Sequence, residues 1–361
     1  MKQYYVIDLF AGAGGFSYGF SKAGFIPAIA NEISPVISST YQCNHPNTLI
    51  LANDIKSLDK ITLEKTIKDK IGKVDNNIIL IGGPPCQSYS TSGKRKLDDR
   101  ANLFLEYKRV LGIIKPILFI FENVTGLLSM DNKKLFPKVV EALEEEGYNI
   151  SHKVLNASDY GVPQDRKRVF VIGVRKDLNL PEFKFREGDF VETPRTFSYA
   201  LYDLPATACG EEQKYYMMRS NAYTQMMRGK EKFLTRQKAP NASERMKELM
   251  KTLKDGEDRS KLPARLQPKS GFGNSYSKIC SWKPAPTITR NFSCVSSARC
   301  IHPKDNRVLT IREGARLQSF PDNYIFMGTD EEVRIQIGNA VPPLLAEELG
   351  KQIKAYLDTN L

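Results

Sequence analysis

A cysteine at position 86 stands in a segment that favours nucleophilic chemistry. The run Gly82-Gly83-Pro84-Pro85-Cys86 directly follows Asn77 to Ile81, a short apolar stretch of the kind that forms a buried strand. Rigid prolines orient the side chain that follows them, and the carboxyl end of a strand is where α/β sheets bind ligands. A lone cysteine is usually a small core residue, but this placement favours a thiolate that attacks a substrate.

A glycine-rich segment, Asp8 to Phe16, has the composition of a ligand-binding turn. It follows a predicted strand, and its glycines allow the backbone to approach a ligand closely. The spacing differs from the dinucleotide motif because Ser17 stands where the third glycine would be. Glu32 ends the second predicted strand, where it could accept hydrogen bonds from two ribose hydroxyls, and Asp54 could accept one from an adenine amino group.

Charged side chains mark two further strand ends. Glu122 follows the apolar run 117–121, and partial burial there could raise the pKa of its carboxyl group enough for it to hold a proton. Arg166 and Arg168 lie two residues apart before the apolar run 169–174, so they point to the same side of a strand. One guanidinium could donate to a base carbonyl and the other to a phosphate or a carboxylate.

The first 176 residues alternate apolar strands with helices, which predicts a doubly wound α/β sheet. The pattern then gives way to a basic, proline-rich region without this rhythm. From Lys214 through Lys269 there are 15 Lys or Arg and 6 Asp or Glu, a local excess of +9 in a chain of net charge +12. Such an excess favours a polyanionic partner, most commonly nucleic acid.

Two amphipathic helices are predicted beyond residue 176. The first begins where Asn241 and Glu244 resemble a capping box, and it ends at Gly256. The second lies near the C-terminus, and we expect it to pack on the first domain. Their apolar stripes are Met246, Leu249, Met250 and Leu253, and Leu345, Leu349, Ile353 and Tyr356.

Cysteine usage argues against a structural zinc site, because no pair among the six cysteines has CxxC spacing and the chain has only three histidines. Cys294, Cys300 and His302 lie close in sequence but lack an evident fourth ligand. No apolar stretch reaches the length that a membrane span needs, and no signal segment is evident. We therefore expect a soluble cytoplasmic protein without a metal.

The order and spacing of the motifs resemble the cytosine-C5 DNA methyltransferase family. Six blocks match in order over residues 4–176 and 284–357. The blocks are Phe10 to Gly15, Gly83 to Gln87, Glu122 to Val124, Gln164 to Arg168, Arg307 to Pro321 and Gln336 to Pro343. A chance match of all six in this order is negligible, although each block alone is weak.

The resemblance implies a Rossmann-like sheet that binds S-adenosylmethionine, with an inserted, smaller, basic target-recognition domain. Residues 1–176 would form the first part of the catalytic domain. Residues 177–322 would form the target-recognition domain with a DNA-contacting motif at its end, and residues 323–361 would return to the catalytic domain.

The resemblance also implies roles for four catalytic residues. Cys86 would add to carbon 6 of a cytosine rotated out of duplex DNA, which activates carbon 5 for methylation. Glu122 would bind N3 and the exocyclic amine, Arg168 would bind O2, and Arg166 would support the site. No metal is required.

Two further sets of residues follow from the same resemblance. The cofactor set is Phe10, Ala11, Gly12, Gly14, Gly15, Glu32, Asp54, Pro84, Leu103, Asn339 and Val341. The DNA-binding set is Gln87, Ser88, Ser90, Lys94, Arg95, Lys96, Arg290 and Arg312, with Arg219, Arg228, Arg236 and Arg299 as further candidates. The implied partner is double-stranded DNA, bound by a monomer, alone or beside a cognate restriction endonuclease that it does not contact.

Three alternatives remain open at this point. A tRNA cytosine-C5 methyltransferase shares the fold, but that branch has Pro-Phe-Thr-Arg in place of residues 88–91. A catalytically inactive DNA-binding module would tolerate the loss of Cys86, Glu122 or Arg168, and all three are present. A nicotinamide-dependent oxidoreductase would use the glycine-rich turn, but it would not need the Pro-Pro-Cys block.

Overall fold

The computed structural model describes most of the chain in seven ranges. These are residues 2–72, 77–85, 102–186, 193–205, 212–215, 220–270 and 273–361. The described residues form the strands β1 (Tyr5–Leu9), β2 (Ile26–Asn31), β3 (Leu49–Leu51), β4 (Ile78–Gly82), β5 (Leu118–Val124), β6 (Tyr148–Asn156), β7 (Gln164–Asp165), β8 (Lys167–Arg175), β9 (Glu212–Lys214), β10 (Phe233–Thr235) and β11 (Ala285–Pro286).

The helices within the same ranges are distributed along the whole chain. They are α1 (Gly15–Lys22), α2 (Pro35–Asn44), α3 (Lys60–Ile71), α4 (Asn102–Ile114), α5 (Leu135–Glu144), α6 (Phe197–Ala200), α7 (Ala222–Arg228), α8 (Glu244–Thr252), α9 (Ile311–Leu317), α10 (Asp330–Asn339) and α11 (Pro343–Asn360). None of these helices combines the length and the apolar character that crossing a membrane requires.

The chain divides into two compact units. Unit 1 comprises Met1–Asn156, Lys167–Gly188 and Ala346–Leu361, and unit 2 comprises Ala157–Arg166 and Asp189–Leu345. These limits differ from the predicted domain limits at 176/177 and 322/323. Composition marks where the sequence pattern changes, whereas a compact unit is defined by which segments contact one another.

Unit 1 is built on a seven-stranded sheet with the strand order β3-β2-β1-β4-β5-β8-β6. The strands from β3 to β5 run parallel, and β8 runs antiparallel to both of its neighbours. The predicted α/β sheet is therefore confirmed. The apolar run 169–174 predicted a buried parallel strand like the runs 77–81 and 117–121, and this direction is wrong, because burial on both faces gives the same pattern in either orientation.

The core of unit 1 explains why the central strands are so apolar. Ile79, Leu80 and Ile81 of β4 and Phe119 and Ile120 of β5 are fully buried. Burying a side chain of this size contributes roughly 1.5–3 kcal/mol. This core brings the carboxyl ends of the parallel strands to one edge of the sheet, where loops can carry functional groups.

Unit 2 contains two small two-stranded sheets, one formed by β9 and β10 and the other by β7 and β11. The predicted helix near residue 244 is present as α8, and Leu249 and Met250 of its apolar stripe are buried. Its predicted N-cap, Asn241, is wrong. The cap is Ser243, whose hydroxyl accepts a hydrogen bond from the backbone N of Met246 at 3.4 Å.

Candidate functional site

The residues Phe10–Gly15, which we call the glycine turn, reverse the chain between β1 and α1. Phe10, Gly12 and Gly14 have positive φ values of 55°, 55° and 89°. Glycine adopts this conformation at little cost, whereas Phe10 is strained by it. The turn therefore presents backbone rather than side chains at the carboxyl end of β1.

Glu32 holds the glycine turn from the end of β2. Its Oε2 accepts a hydrogen bond from the backbone N of Gly12 at 3.0 Å, and its Oε1 accepts one from Ser34 N at 2.9 Å. Burial raises the pKa of this carboxyl group, and the backbone donors oppose that effect. Each carboxylate oxygen can accept more than one hydrogen bond, so the predicted binding of ribose hydroxyls stays a prediction.

Ile33 is a neighbouring residue that the sequence analysis did not identify. It follows Glu32 directly, and its side chain is 62% exposed although it is large and apolar. The sequence feature that could have identified it is an isoleucine just beyond a strand end, between an acidic residue and a helix N-cap. It offers an apolar surface beside the carboxylate of Glu32.

Asp54 and Leu103, two other predicted cofactor residues, have local structural contacts. Asp54 is exposed, and its Oδ1 accepts a hydrogen bond from Lys56 N at 3.0 Å at the start of the short helix Ile55–Ser57. Leu103 is partly buried and packs against the core of unit 1. Their roles toward a cofactor stay predictions.

Glu122 and Arg168 meet where β5 and β8 pair. The Nε atom of Arg168 lies 3.2 Å from Oε1 of Glu122, and the two side chains are 15% and 12% exposed. Burial lowers the pKa of the Arg168 guanidinium, and the charge of Glu122 opposes that effect. Two residues that the sequence analysis assigned to one reaction are thus brought together as a shielded ion pair.

The end of β5 also holds the segment that leads to Cys86. A Cβ atom at Gly83 would lie 2.8 Å from Oε2 of Glu122, so any larger residue would force that carboxylate to shift. Asn123, which is buried, donates from Nδ2 to the Pro84 carbonyl at 3.0 Å. Asn123 had no predicted role of its own, although a polar residue at the end of an apolar strand was a signal that could have identified it.

The predicted nucleophile and several predicted DNA contacts lie outside the described residues. They are Cys86, Gln87, Ser88, Ser90, Lys94, Arg95, Lys96 and Arg219. The described chain before Cys86 ends at Pro85, two residues after Gly83.

Arg166 organises a different group of predicted residues within unit 2. Its buried guanidinium donates to the carbonyls of Ile288 at 3.0 Å and of Gly338 at 2.9 Å. A Cβ atom at Gly338 would lie 2.2 Å from the backbone N of Arg290, so these two backbones are in close contact. Two sequence motifs distant along the chain, 164–168 and 336–343, are therefore joined around Arg166 with the segment 288–290. Next to this contact, Asn339 is exposed and Val341 is buried.

Arg290 and Arg312, both predicted to contact DNA, have different surroundings. Arg290 is exposed. Arg312 is buried, donates to the carbonyl and hydroxyl oxygens of Thr235 at 3.2 and 2.9 Å, and lies 3.7 Å from Asp322. We assign Arg312 a structural role and do not carry it into the proposed DNA contacts. The motif did not predict this burial, because charged residues are usually exposed. In α9 the charged residues are buried as well.

The three residues that were weighed as metal ligands are not arranged as such. Within the described ranges, no group of three or more His, Cys, Asp or Glu side chains is placed to hold a metal ion. The Nδ1 atom of His302 instead accepts a hydrogen bond from Asp305 N at 2.9 Å.

Comparison with known proteins agrees with this arrangement. The family model for C-5 cytosine-specific DNA methylase matches residues 4–355. The type II methyltransferase M.DdeI of Desulfomicrobium norvegicum is 37% identical, with 98% of this chain and 89% of that protein covered. The type II methyltransferase M1.HphI of Haemophilus parahaemolyticus is also 37% identical, with 98% and 87% covered.

A solved structure supports the same assignment. It is a crystal structure from E. coli, described as a DNA modification methyltransferase encoded within a prophage, with a TM-score of 0.80 and 27% identity. The alignment covers 99% of this chain and 100% of that one. The resemblance found in the sequence is confirmed, and the chain belongs to the C-5 cytosine-specific DNA methylase family.

Proposed function

We propose that the chain transfers the methyl group of S-adenosylmethionine to carbon 5 of a cytosine flipped out of duplex DNA, with Cys86 as nucleophile. The observation that carries this proposal is the Glu122–Arg168 ion pair, which lies against Gly83 shortly before Cys86 in the chain. A carboxyl group and a guanidinium 3.2 Å apart can contact neighbouring atoms on one edge of a pyrimidine ring.

The residues divide the reaction into two easier steps. The Cys86 thiolate forms a bond to carbon 6, which breaks the aromaticity of the ring and makes carbon 5 nucleophilic. Glu122 hydrogen-bonds N3 and the exocyclic amine, and Arg168 hydrogen-bonds O2, so both stabilise the charge that develops as sulfur adds. After carbon 5 has gained its methyl group, a base removes its proton and the Cys86–carbon 6 bond breaks.

The residues that follow β1 and β2 have groups that suit the nucleoside part of S-adenosylmethionine. This cofactor supplies, when bound, an electrophilic methyl group. The glycine turn offers close backbone approach, Glu32 keeps acceptor capacity for ribose hydroxyls, and Ile33 offers an apolar surface for the adenine ring. The other cofactor residues, Asp54, Leu103, Asn339 and Val341 among them, rest on the family resemblance.

Double-stranded DNA is the proposed partner of the basic residues. The candidates that we retain for contact with it are Arg290 and the predicted residues Gln87, Ser88, Ser90, Lys94, Arg95 and Lys96. The names of the relatives indicate a type II modification system, so we place the chain in such a system. We further propose that the chain acts as a monomer in the cytoplasm and makes no direct contact with a cognate restriction endonuclease.

The proposal is tested by following tritiated methyl transfer into unmethylated genomic DNA and, in parallel, into tRNA. We expect incorporation into DNA alone, and a loss of at least about a thousandfold in Cys86→Ala. Cys43→Ala, which changes an exposed cysteine of α2, is the matched control and should keep full activity. Near wild-type turnover of Cys86→Ala would refute the nucleophile, and methyl transfer into tRNA alone would refute the substrate.

A further inference from the structure

We propose that His45 is a positioning residue for the cofactor, because its imidazole holds the glycine turn in the shape that S-adenosylmethionine contacts. No motif of the family resemblance includes His45. The inference rests on the proposed function, in which the glycine turn binds this cofactor.

The contact itself is a hydrogen bond from a buried ring. The Nε2 atom of His45, the residue after α2, lies 3.2 Å from the carbonyl oxygen of Gly14. Burial lowers the pKa of His45 to about 4, so the ring is neutral at pH 7. A carbonyl oxygen can only accept, and Nε2 is therefore the nitrogen that carries the proton and donates it.

The glycine turn lies directly against the rings of His45 and Tyr41. A Cβ atom at Gly14 would lie 2.8 Å from Nε2 of His45 and 2.9 Å from a ring carbon of Tyr41. The two ring centroids are 4.4 Å apart, so the rings support each other. A side chain at position 14 would have no room on the α2 side, and the hydrogen bond ties the backbone of Gly14 to His45.

A chain of hydrogen bonds fixes the Tyr41 ring, against which the His45 ring packs. The Tyr41 hydroxyl donates to Ser17 Oγ at 2.7 Å, and the Ser17 hydroxyl donates to Asp8 Oδ2 at 2.6 Å. All three side chains are buried. This chain connects α2 to α1 and to β1, the two elements that the glycine turn joins.

The glycine turn is consequently held at two points by two different elements. Glu32 of the β2 end binds Gly12, and His45 of the α2 end binds Gly14. A cofactor that depends on the backbone of this turn should lose affinity when either hold is released, because the turn must then be ordered at the expense of binding energy.

Two substitutions separate positioning from packing. His45→Leu removes the donor and keeps an apolar side chain, whereas His45→Gln keeps an amide N–H that can reach the Gly14 carbonyl. We expect His45→Leu to weaken the binding of S-adenosylhomocysteine by about tenfold in calorimetry, and His45→Gln to recover most of that loss. The KM for S-adenosylmethionine should rise in parallel while kcat changes less than about twofold.

His152→Leu, on an exposed position of β6, is the matched control and should leave both quantities unchanged. If His45→Leu does not fold, His45→Asn takes its place, because its shorter amide does not reach the Gly14 carbonyl. Unchanged affinity in the donor-less variant, or equal losses in both variants, would overturn the positioning role. A wild-type protein without affinity for S-adenosylhomocysteine would instead overturn the cofactor assignment of the proposed function, and this inference with it.

Discussion

Asp8 is a fully buried acid in β1, two residues before the glycine turn. Its Oδ2 accepts the hydrogen bond of the Ser17 hydroxyl, and its neighbours are the carboxylate of Glu32 and the hydroxyl groups of Tyr41 and Tyr107, whose raised pKa values keep them neutral. Burial, reinforced by Glu32, raises the pKa of Asp8 to about 7, although the Ser17 hydroxyl opposes the rise. Close to neutrality, the folded chain therefore carries a proton that the unfolded chain has lost.

This proton predicts a specific pH dependence of stability. An unfolded Asp has a pKa near 3.9, so the stabilising effect of the raised pKa is complete below about pH 4 and is lost as the pH rises to about 7. Asp8→Asn cannot ionise. The free energy of unfolding of the wild type, minus that of the variant, should fall by about 2–3 kcal/mol between pH 5 and pH 7 in urea titrations.

Asp69→Asn, at an exposed position of α3, is the control for replacing a carboxylate with an amide away from Asp8. Parallel profiles for the wild type and Asp8→Asn would show that Asp8 ionises as readily in the folded chain as in the unfolded one, and would contradict a pKa raised by burial.

At the scale of elements, the site is built where strands end. The backbone of Gly83 follows β4 and leaves space for the Glu122 side chain of β5, whose partner Arg168 comes from β8. Two strands thus supply the charged partners of the ion pair, and the residue after a third strand leaves space for them. The geometry of the ion pair depends on strand pairing rather than on any single loop.

Gly83→Ala tests this dependence. The added methyl group would lie 2.8 Å from the Glu122 carboxylate, which must shift away from it. We expect kcat to fall by about tenfold to a hundredfold, while the affinity for S-adenosylhomocysteine stays the same. Gly126→Ala is the matched control, since the nearest atoms to its added methyl group lie at 3.8 Å. Full activity of Gly83→Ala would mean that the position of the Glu122 carboxylate is not critical.

Much of this arrangement could be predicted from the sequence. The apolar runs 77–81 and 117–121 located β4 and β5 within a few residues, because strands buried on both faces leave a continuous pattern. The strand β6 was missed, because polar residues interrupt its apolar ones and leave no continuous apolar run. His45 was missed because its contact with Gly14 spans 31 residues and no local pattern reports it.

At the scale of the whole molecule, charge was predictable in amount but not in position. The net charge of +12 indicates a polyanionic partner, yet it does not separate arginines that build the protein from arginines that meet DNA. Arg166 and Arg312 are buried within unit 2, and Arg290 is exposed. Only the folded chain makes that distinction.

The charge predicts a strong salt dependence of DNA binding. Each neutralised phosphate releases counterions, so the logarithm of the affinity should fall linearly with the logarithm of the salt concentration. We expect the affinity for duplex DNA to fall by about a thousandfold between 50 and 200 mM NaCl in fluorescence anisotropy, if roughly six phosphates are contacted. The affinity for S-adenosylhomocysteine over the same range is the internal control and should change little. A salt-independent affinity for DNA would contradict a binding surface made of basic side chains.

The bond between Cys86 and cytosine can be measured directly. A long duplex in which every cytosine is replaced by 5-fluorocytosine contains the target whatever its sequence, and fluorine cannot leave carbon 5 as a proton does. After incubation with S-adenosylmethionine and digestion, mass spectrometry should find the peptide of Cys86 carrying the methylated fluoropyrimidine. An adduct on another cysteine, or methylated product with its new methyl group on the exocyclic nitrogen and no adduct, would contradict covalent catalysis by Cys86.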